Sequence, residues 1–343
     1  MGKVVLKIDL VYLWVDGSDP VWLAKKNAAM VADGRHLTTA QVGVNRWRDN
    51  DELKYSLRSV EKFAPWINHI FIVTDGQRPA WLANNPRVSI IDQNDIVPPE
   101  YLPLYNSAAL ELFLYKIPGL SEHFIYSNDD EFIGRPLAPG FFFDTNGNPI
   151  IILGERWVAN QVFRGVVGGV RIFKEMQNNA LYFVYKKFGK KYNIVHTHAI
   201  DPMRKSYLQE NIEGNYAEFM KTTATVFREK TNMQKLVFSL MDNARGRNTI
   251  ILKWGYGNHR IKYTHDGDNA LRRIWLWILR NILKLTGLIR MYNFDSKNNI
   301  VRKMRRYKPD TFSINDLTGR HDSFQDAIGY MNNMFPNKSE FEK

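Results

Sequence analysis

Short apolar runs alternate with helix-like stretches through the first part of the chain. Four runs have the length and the Val, Ile and Phe content of buried strands; they span 4–15, 69–73, 88–91 and 123–127. Each run is followed at once by polar or glycine-containing turn residues. Strands that alternate with helices predict an α/β fold with a mostly parallel sheet.

Helical spacing fills the intervals between these strands. Residues 21–32 follow the first turn and are predicted helical, as are residues 106–117. From Asp49 onward, apolar residues recur at three- and four-residue intervals, with Asp49 or Asn50 as the predicted N-cap. The pattern thus supplies helices to cover the sheet.

After about residue 140 the pattern weakens, and no internal repeat or low-complexity tract is present. We predict strands with an insertion over 141–172, a helix over 175–189, mainly helix over 202–245 and a loop over 255–270. The chain is therefore divided into an α/β part, 1–150, and an insertion with a helical subdomain, 151–343.

Acidic residues stand where the predicted strands end. Asp16, Asp75, Asp92 and Asp129 each follow an apolar run. In parallel sheets, ligands bind at the carboxyl ends of the strands. We therefore expect these four carboxylates to line one crevice.

The densest acidic cluster follows the fourth strand, in the sequence Ser-Asn-Asp-Asp-Glu at 127–131. Adjacent carboxylates repel one another unless a positive group lies among them. A hard divalent cation, Mg²⁺ or Mn²⁺, prefers oxygen ligands and is often shared with a substrate phosphate. The alternative for such a motif in isolation is a solvated acidic turn.

Composition narrows the class of protein. The chain has 343 residues, 44% hydrophobic content and no cysteine, which favours a large packed core and excludes thiolate chemistry and disulfides. No apolar run approaches the length of a membrane span, and the N-terminal run, broken by Lys7 and Asp9, reads as a strand rather than a signal peptide. We expect a cytoplasmic protein.

Positive charge is concentrated near the C-terminus. Of the formal net charge of +12, residues 271–310 contribute eleven Lys/Arg and two acids, or +9. The same window contains the apolar run IWLWIL at 274–279. This composition suits either an amphipathic helix on an anionic membrane surface or a core helix with a basic end. No recognised motif supports nucleic-acid binding.

Four stretches in fixed order resemble the Stealth family of sugar-1-phosphate transferases, which includes capsular and exopolysaccharide phosphotransferases and the catalytic part of N-acetylglucosamine-1-phosphotransferase. The first two are close matches, whereas the third and fourth are shorter and less specific. The blocks are IDLVYLWVDGSDPVW at 8–22, the region from RDNDELKYSLRS at 48–59 through YNSAALE to the acidic cluster, NALYFVYKKFG to HTHAIDPMRKSYLQE at 179–210, and TFSINDLTG at 311–319.

The resemblance implies a glycosyltransferase A-like nucleotide-sugar domain and an enzyme that moves a hexose- or N-acetylhexosamine-1-phosphate. The expected donor is a UDP-sugar, and the expected acceptor is a hydroxyl of a growing or lipid-linked bacterial surface polysaccharide. UMP would be released, with Mg²⁺ or Mn²⁺ as cofactor, at the inner face of the plasma membrane. The alternatives are a conventional glycosyltransferase that releases UDP and a non-enzymatic, membrane-associated scaffold of polysaccharide assembly.

The resemblance also implies roles for individual residues. His198 is the expected general base, with His196 a weaker candidate, and Arg228 is expected to neutralise phosphate charge, with Arg204 and Lys205 as alternatives. The expected metal ligands are Asp129, Asp130 and Asp316. The expected substrate-binding residues are Asp16, Gly17, Ser18, Asp19, Arg48, Arg58, Asp75, Gln77, Asn106 and Asn315.

Overall fold

The computed structural model describes residues 6–43, 46–155, 171–196, 200–254, 259–262, 309–314 and 321–343. Of the basic segment 271–310, only Pro309 and Asp310 fall within these ranges. No helix in the described part of the chain is both long enough and apolar enough to cross a membrane.

Strands occur in both halves of the described chain. They are β1 (Ile8–Leu13), β2 (Ile70–Thr74), β3 (Val88–Asp92), β4 (His123–Asn128), β5 (Glu131–Ile133), β6 (Ile150–Glu155), β7 (Ile194–Val195), β8 (Asp201–Arg204), β9 (Thr249–Trp254), β10 (His259–Lys262) and β11 (Thr311–Ser313). The main sheet has the order β3-β2-β1-β4-β8, with β1 to β4 parallel and β8 antiparallel. The α/β class and the mostly parallel sheet are therefore as predicted.

Helices cover both faces of this sheet. They are α1 (Pro20–Asp33), α2 (Thr39–Val42), α3 (Glu52–Phe63), α4 (Ser107–Leu110), α5 (Arg171–Phe188), α6 (Lys205–Glu213), α7 (Tyr216–Thr222), α8 (Leu236–Ala244) and α9 (His321–Met334). The α3 helix begins at Glu52 and has Asp51, with a left-handed φ of 66°, at its N-cap position, so the predicted cap at Asp49 or Asn50 is wrong by one or two residues.

Alternate residues of the central strands enter two different apolar cores. Leu10 and Tyr12 of β1 pack in the core that contains Leu57 of α3. Val11, between them, packs in the core that contains Leu240 of α8. Side chains alternate across a strand, so a sheet covered on both faces needs a continuous apolar run. This is why the strands were readable from the sequence.

The second half of the chain completes sheets that the first half begins. β8 adds to the edge of β4, and β11 pairs antiparallel with β5. A further sheet has the order β10-β9-β6-β7. The prediction of mainly helix over 202–245 is confirmed by α6, α7 and α8, although its first residues belong to β8, and the predicted loop over 255–270 contains β10. Such edge strands are short, so they leave little periodic signal in the sequence.

Candidate active site

Four carboxylates stand at the same edge of the main sheet. Asp16, Asp75 and Asp129 follow β1, β2 and β4, and Asp92 ends β3. Because these strands are parallel neighbours, their carboxyl ends share one edge, as the sequence predicted. All four residues are half-buried, so they are partly accessible to solvent at this edge.

The acidic turn between β4 and β5 contains two available carboxylates rather than three. Glu131 is only 1% exposed, and its carboxylate accepts hydrogen bonds from the backbone N–H of Asn128 at 3.0 Å and from the side-chain amide of Asn128 at 3.0 Å. Glu131 therefore shapes the turn. Asp129 and Asp130 are half-buried at its tip.

Burial and mutual repulsion perturb both aspartates. The pKa of Asp129 lies well above its usual range, first because of burial and then because of Asp130, Glu52 and Asp49. The pKa of Asp130 is raised by burial and by its acidic neighbours. A positive group would relieve this repulsion, so the turn has the electrostatic character of a cation site.

Asp49 belongs to this cluster, although sequence reasoning considered it only as a helix cap. Burial raises its pKa to about 7, with Glu52, Asp51 and Asp16 adding to the shift. The carboxylate of Asp49 therefore interacts electrostatically with Asp16 in the turn after β1 and with Asp129 in the turn after β4. The sequence feature that could have indicated Asp49 as a site residue is its place in the second family block, between Arg48 and the start of α3.

The turn after β1 is held by a close backbone approach. The backbone N–H of Gly17 donates to the carbonyl oxygen of Trp47 at 2.7 Å. A Cβ atom on Gly17 would lie 2.4 Å from that oxygen, so the position requires glycine. This contact fixes the 46–49 segment, which carries Arg48 and Asp49, against the turn.

Other predicted residues of this turn are brought together, and they bind one another. Gln77 accepts from the backbone N–H of Asp16 and donates to its carbonyl oxygen, both at 3.0 Å, and also donates to the carboxylate of Asp19 at 3.2 Å. Asp19 caps α1 by accepting from the backbone of Val21 and Trp22. The Ser18 hydroxyl donates to Asp16 at 2.6 Å. The predicted nucleoside-binding residues therefore form one rigid turn.

Arg228 is the arginine that the sequence assigned to phosphate, and its guanidinium is attracted to Glu111 and Tyr126. Its Nη2 donates to the Ser107 hydroxyl at 2.8 Å, whereas its buried Nε has no partner among the described residues. Burial lowers its pKa, against attraction from Glu111 and Tyr126. The pKa of Arg46 falls to about 9 through burial and repulsion by Arg228. Two neighbouring half-buried guanidinium groups are suited to an anion.

Asn106 positions the loop that carries Arg228. Asn106 is 3% exposed, and its amide donates to the Asn232 side chain at 2.9 Å and to the Thr225 carbonyl oxygen at 3.2 Å. Its oxygen accepts from the backbone N–H of Ala108 at 3.2 Å and so caps α4. The amide of Asn106 thus ties the 223–232 loop to the region before α4.

Arg58 is engaged by the C-terminal segment. Its guanidinium contacts both oxygens of Glu342, at 2.7 and 2.6 Å, and donates to the Phe335 carbonyl oxygen at 2.9 Å. Arg204, an alternative to Arg228, pairs with Glu122 at 2.8 Å. These contacts give both arginines structural partners that the sequence did not indicate.

The third family block contributes a buried histidine, His196. Its Nε2 lies 2.9 Å from Asp201, and Lys235 contacts the same carboxylate at 2.5 Å. Although burial by itself raises it, these two neighbours lower the pKa of Asp201 to about 2. His196 is therefore buried in an ion network beneath Tyr126, whose ring centroid lies 4.5 Å from Lys235 Nζ.

Three predicted residues, His198, Asn315 and Asp316, lie outside the described residues. The described start of the fourth block, residues 311–314, contacts the acidic turn, because the backbone N–H of Ile314 donates to the carbonyl oxygen of Asp130 at 3.0 Å. β11 therefore brings residues 311–314 to this turn.

Within the described ranges, no three carboxylate or imidazole side chains converge closely enough to hold a metal ion. Asp129 and Asp130 still fit a hard cation chemically, because they offer carboxylate oxygens. Burial and mutual repulsion disfavour the negative charge of both groups, and a bound cation would stabilise it. The pair is thus a partial donor set.

Comparisons with known proteins agree with the first two blocks. Stealth protein conserved region 1 matches residues 6–31, and conserved region 2 matches residues 46–151. An exopolysaccharide phosphotransferase of Lactiplantibacillus plantarum is 30% identical over 98% of this chain and 96% of its own length. A capsular polysaccharide phosphotransferase of Actinobacillus suis is 34% identical over 71% of this chain and 70% of its own length.

Other matches are more partial. An exopolysaccharide phosphotransferase of Mycobacterium tuberculosis is 39% identical over 68% of this chain, but the alignment spans only 43% of that relative. Among solved structures, the galactosyltransferase LgtC aligns with a TM-score of 0.36 at 16% identity over 71% of this chain and 72% of its own. The bifunctional glycosyltransferase WbbM aligns with a TM-score of 0.41 at 10% identity over 98% and 51%. On the sequence relationships, the chain belongs to the Stealth family, together with these polysaccharide phosphotransferases.

Proposed function

We propose that the protein transfers a sugar 1-phosphate from a UDP-sugar to a hydroxyl of a growing or lipid-linked surface polysaccharide and releases UMP. The observation that carries the proposal is the Asp129–Asp130 turn, in which burial and mutual repulsion raise the pKa of both carboxyl groups. Such a turn suits a metal ion held against a diphosphate, and Arg228, whose buried Nε lacks a partner among the described residues, is assigned to a phosphate oxygen. The names of the family relatives support the same reaction class.

The proposed step is a phosphoryl transfer. The acceptor oxygen forms a bond to the phosphorus that carries the sugar, and the bond from that phosphorus to the UMP oxygen breaks. The C1–O bond of the sugar stays intact, so the anomeric configuration is kept. His198 takes the proton of the acceptor hydroxyl, a role suited to an imidazole near neutral pH.

Charge neutralisation is the main contribution expected of the protein in such a step. Asp129 and Asp130, with Asp316, would hold Mg²⁺ or Mn²⁺; when bound, such an ion supplies positive charge against the diphosphate oxygens. Arg228 is assigned to neutralise the transferred phosphate. Asn106 acts through Arg228, because it fixes the loop on which that arginine stands.

The rigid turn after β1 is assigned to the nucleoside. Asp16, Ser18 and Asp19 present polar groups there, and Gln77 holds the turn closed. Asp75, at the end of the neighbouring strand, and Arg48, on the segment bonded to Gly17, stand beside it. In this proposal Arg58 supports the fold through Glu342 rather than contacting phosphate.

The proposed cellular place is the inner face of the plasma membrane, with segment 271–310 as a peripheral anchor. Liposome flotation with and without that segment tests this part. Equal flotation of both proteins would exclude the segment as the anchor.

The decisive experiment identifies the nucleotide released from UDP-sugars in the presence of Mg²⁺ or Mn²⁺ and membrane glycolipid. We expect UMP; release of UDP would instead establish a conventional glycosyltransferase, and no nucleotide binding would favour the scaffold. His198→Ala should lower turnover by about 10²-fold, the scale of general-base catalysis. His36→Ala, on an exposed histidine, is the matched control. Asp129→Asn should shift the metal titration, and an unchanged curve would remove Asp129 as a ligand.

A further inference from the structure

The outer face of α5 carries exposed aromatic and basic side chains together. Tyr182 is 64% exposed and Tyr185 is 40% exposed, and Lys186, Lys187 and Lys191 are also exposed. From 182 to 193 the chain has four lysines and no acidic residue. We call the five exposed residues the tyrosine–lysine strip.

The helix alone does not account for this strip. Lysines in the last turn of a helix are favoured by the helix dipole, which explains Lys186 and Lys187. The dipole gives no reason to expose large aromatic side chains. Lys191 Nζ lies 5.2 Å from the ring centroid of Tyr185, so the two kinds of side chain form one surface.

The strip begins beside the candidate active site. Asn179, on the same helix, donates to the carbonyl oxygens of Lys230 at 2.7 Å and Asn232 at 3.0 Å. These residues belong to the loop that carries Arg228. At 1.5 Å per residue, Tyr182 and Lys186 lie about 4.5 and 10 Å further along the helix axis. The strip therefore leads away from Arg228 over the protein surface.

Neighbouring elements extend the same surface. Lys187 donates to the side chain of Asn215, which places the start of α7 against the end of α5. Tyr216, the next residue, is 37% exposed. A third accessible tyrosine thus flanks the strip.

We propose that the tyrosine–lysine strip binds the phosphodiester-linked glycan that the active site extends. Tyrosine rings offer flat apolar faces to sugar rings, and lysines pair with phosphodiester charges. A chain of sugars and phosphates presents these two features in alternation. The inference rests on the proposed function, since it takes the acceptor to be such a glycan.

A membrane surface suits the strip less well. Interfacial binding relies on apolar side chains that enter the acyl region, usually leucine, phenylalanine or tryptophan. The large exposed aliphatic side chains of the described ranges, Val21, Leu23 and Val31, all lie on α1 rather than here. The strip offers tyrosines and charge, which favours a glycan.

The test is an equilibrium binding measurement without donor substrate. The probes are a purified capsular polysaccharide of phosphodiester-linked sugars, neutral dextran, inorganic polyphosphate, and vesicles of phosphatidylglycerol and phosphatidylcholine. The strip variant Tyr182→Ser/Lys186→Gln should bind the polysaccharide about tenfold more weakly. The matched control, Val31→Ser/Lys25→Gln, removes one exposed apolar side chain and one exposed lysine from α1 and should bind normally. Tyr182→Phe/Lys186→Arg should retain affinity.

The outcomes separate this inference from the proposed function. Equal affinity of the strip and control variants for the polysaccharide would overturn it. A strip variant that loses only vesicle binding would assign the surface to the membrane instead. If the variant loses as much affinity for polyphosphate as for the polysaccharide, stacking of sugars on the tyrosines has no role. Hydrolysis of the UDP-sugar, with water as the acceptor and UMP as the product, should be unchanged in the strip variant. Failure of the proposed reaction would therefore be detected separately from failure of glycan binding.

Discussion

Substitution of Gly17 by alanine tests how the candidate site is built. The added Cβ would lie 2.4 Å from the Trp47 carbonyl oxygen and 2.8 Å from its carbonyl carbon, whereas ordinary contact begins at 3.4 Å. The obstructing atoms are the backbone carbonyl group and the Cβ of Trp47, and neither moves when a side chain rotates, so no rotamer relieves the clash. The turn after β1 and the 46–49 segment must therefore separate.

The expected cost follows from two effects. Overpacking in a close-packed region costs about 1–3 kcal/mol, and the rigid backbone places Gly17→Ala toward the upper end. Loss of the 2.7 Å hydrogen bond from Gly17 to Trp47 adds about 1 kcal/mol. We expect a total destabilisation of about 2–4 kcal/mol. Because the same displacement moves Asp49 away from Asp16, affinity for a UDP-sugar should also fall.

Urea unfolding measures the first effect, and titration with a UDP-sugar measures the second. Gly140→Ala is the matched control, since a Cβ there meets no atom within 4 Å. An unfolding midpoint for Gly17→Ala equal to that of the control would refute the close approach. A destabilised protein with unchanged donor affinity would separate this turn from the nucleotide site.

Two further substitutions test buried groups. Asn106→Asp keeps the oxygen that caps α4 but replaces the amide donor to Asn232 with a buried carboxylate. We expect the free energy of unfolding to fall by about 3–5 kcal/mol and turnover to fall because Arg228 is displaced. Wild-type stability of this variant would contradict the assigned contact. Burial raises the pKa of Asp242 from 3.8 to about 6, so the folded protein binds this proton more tightly than the unfolded chain. The contribution of this proton to the free energy of unfolding is therefore fully present below pH 3.8 and is lost as the pH rises through about 6. Asp242→Asn, which keeps the acceptor for Asn211, should remove up to about 3 kcal/mol of this dependence in urea unfolding at several pH values; an unchanged slope would show that Asp242 is not its source.

The sequence by itself determined the main sheet and its functional edge. Strands buried on both faces require continuous apolar runs, and these marked β1 to β4 within a few residues. The order of strands and helices then predicted parallel pairing, which places Asp16, Asp75 and Asp129 at one edge. The four blocks predicted the family, as the sequence relationships confirmed.

Only the tertiary structure decided how those residues divide their work. Asp49 joins the acidic cluster because Trp47 docks on Gly17, thirty positions earlier in the chain. Arg58 binds Glu342, and Glu131 turns inward to shape the loop that exposes Asp129. Local periodicity reports which face of an element is buried. It does not specify which distant polar group will satisfy a buried charge, because that choice depends on contacts formed after the elements pack.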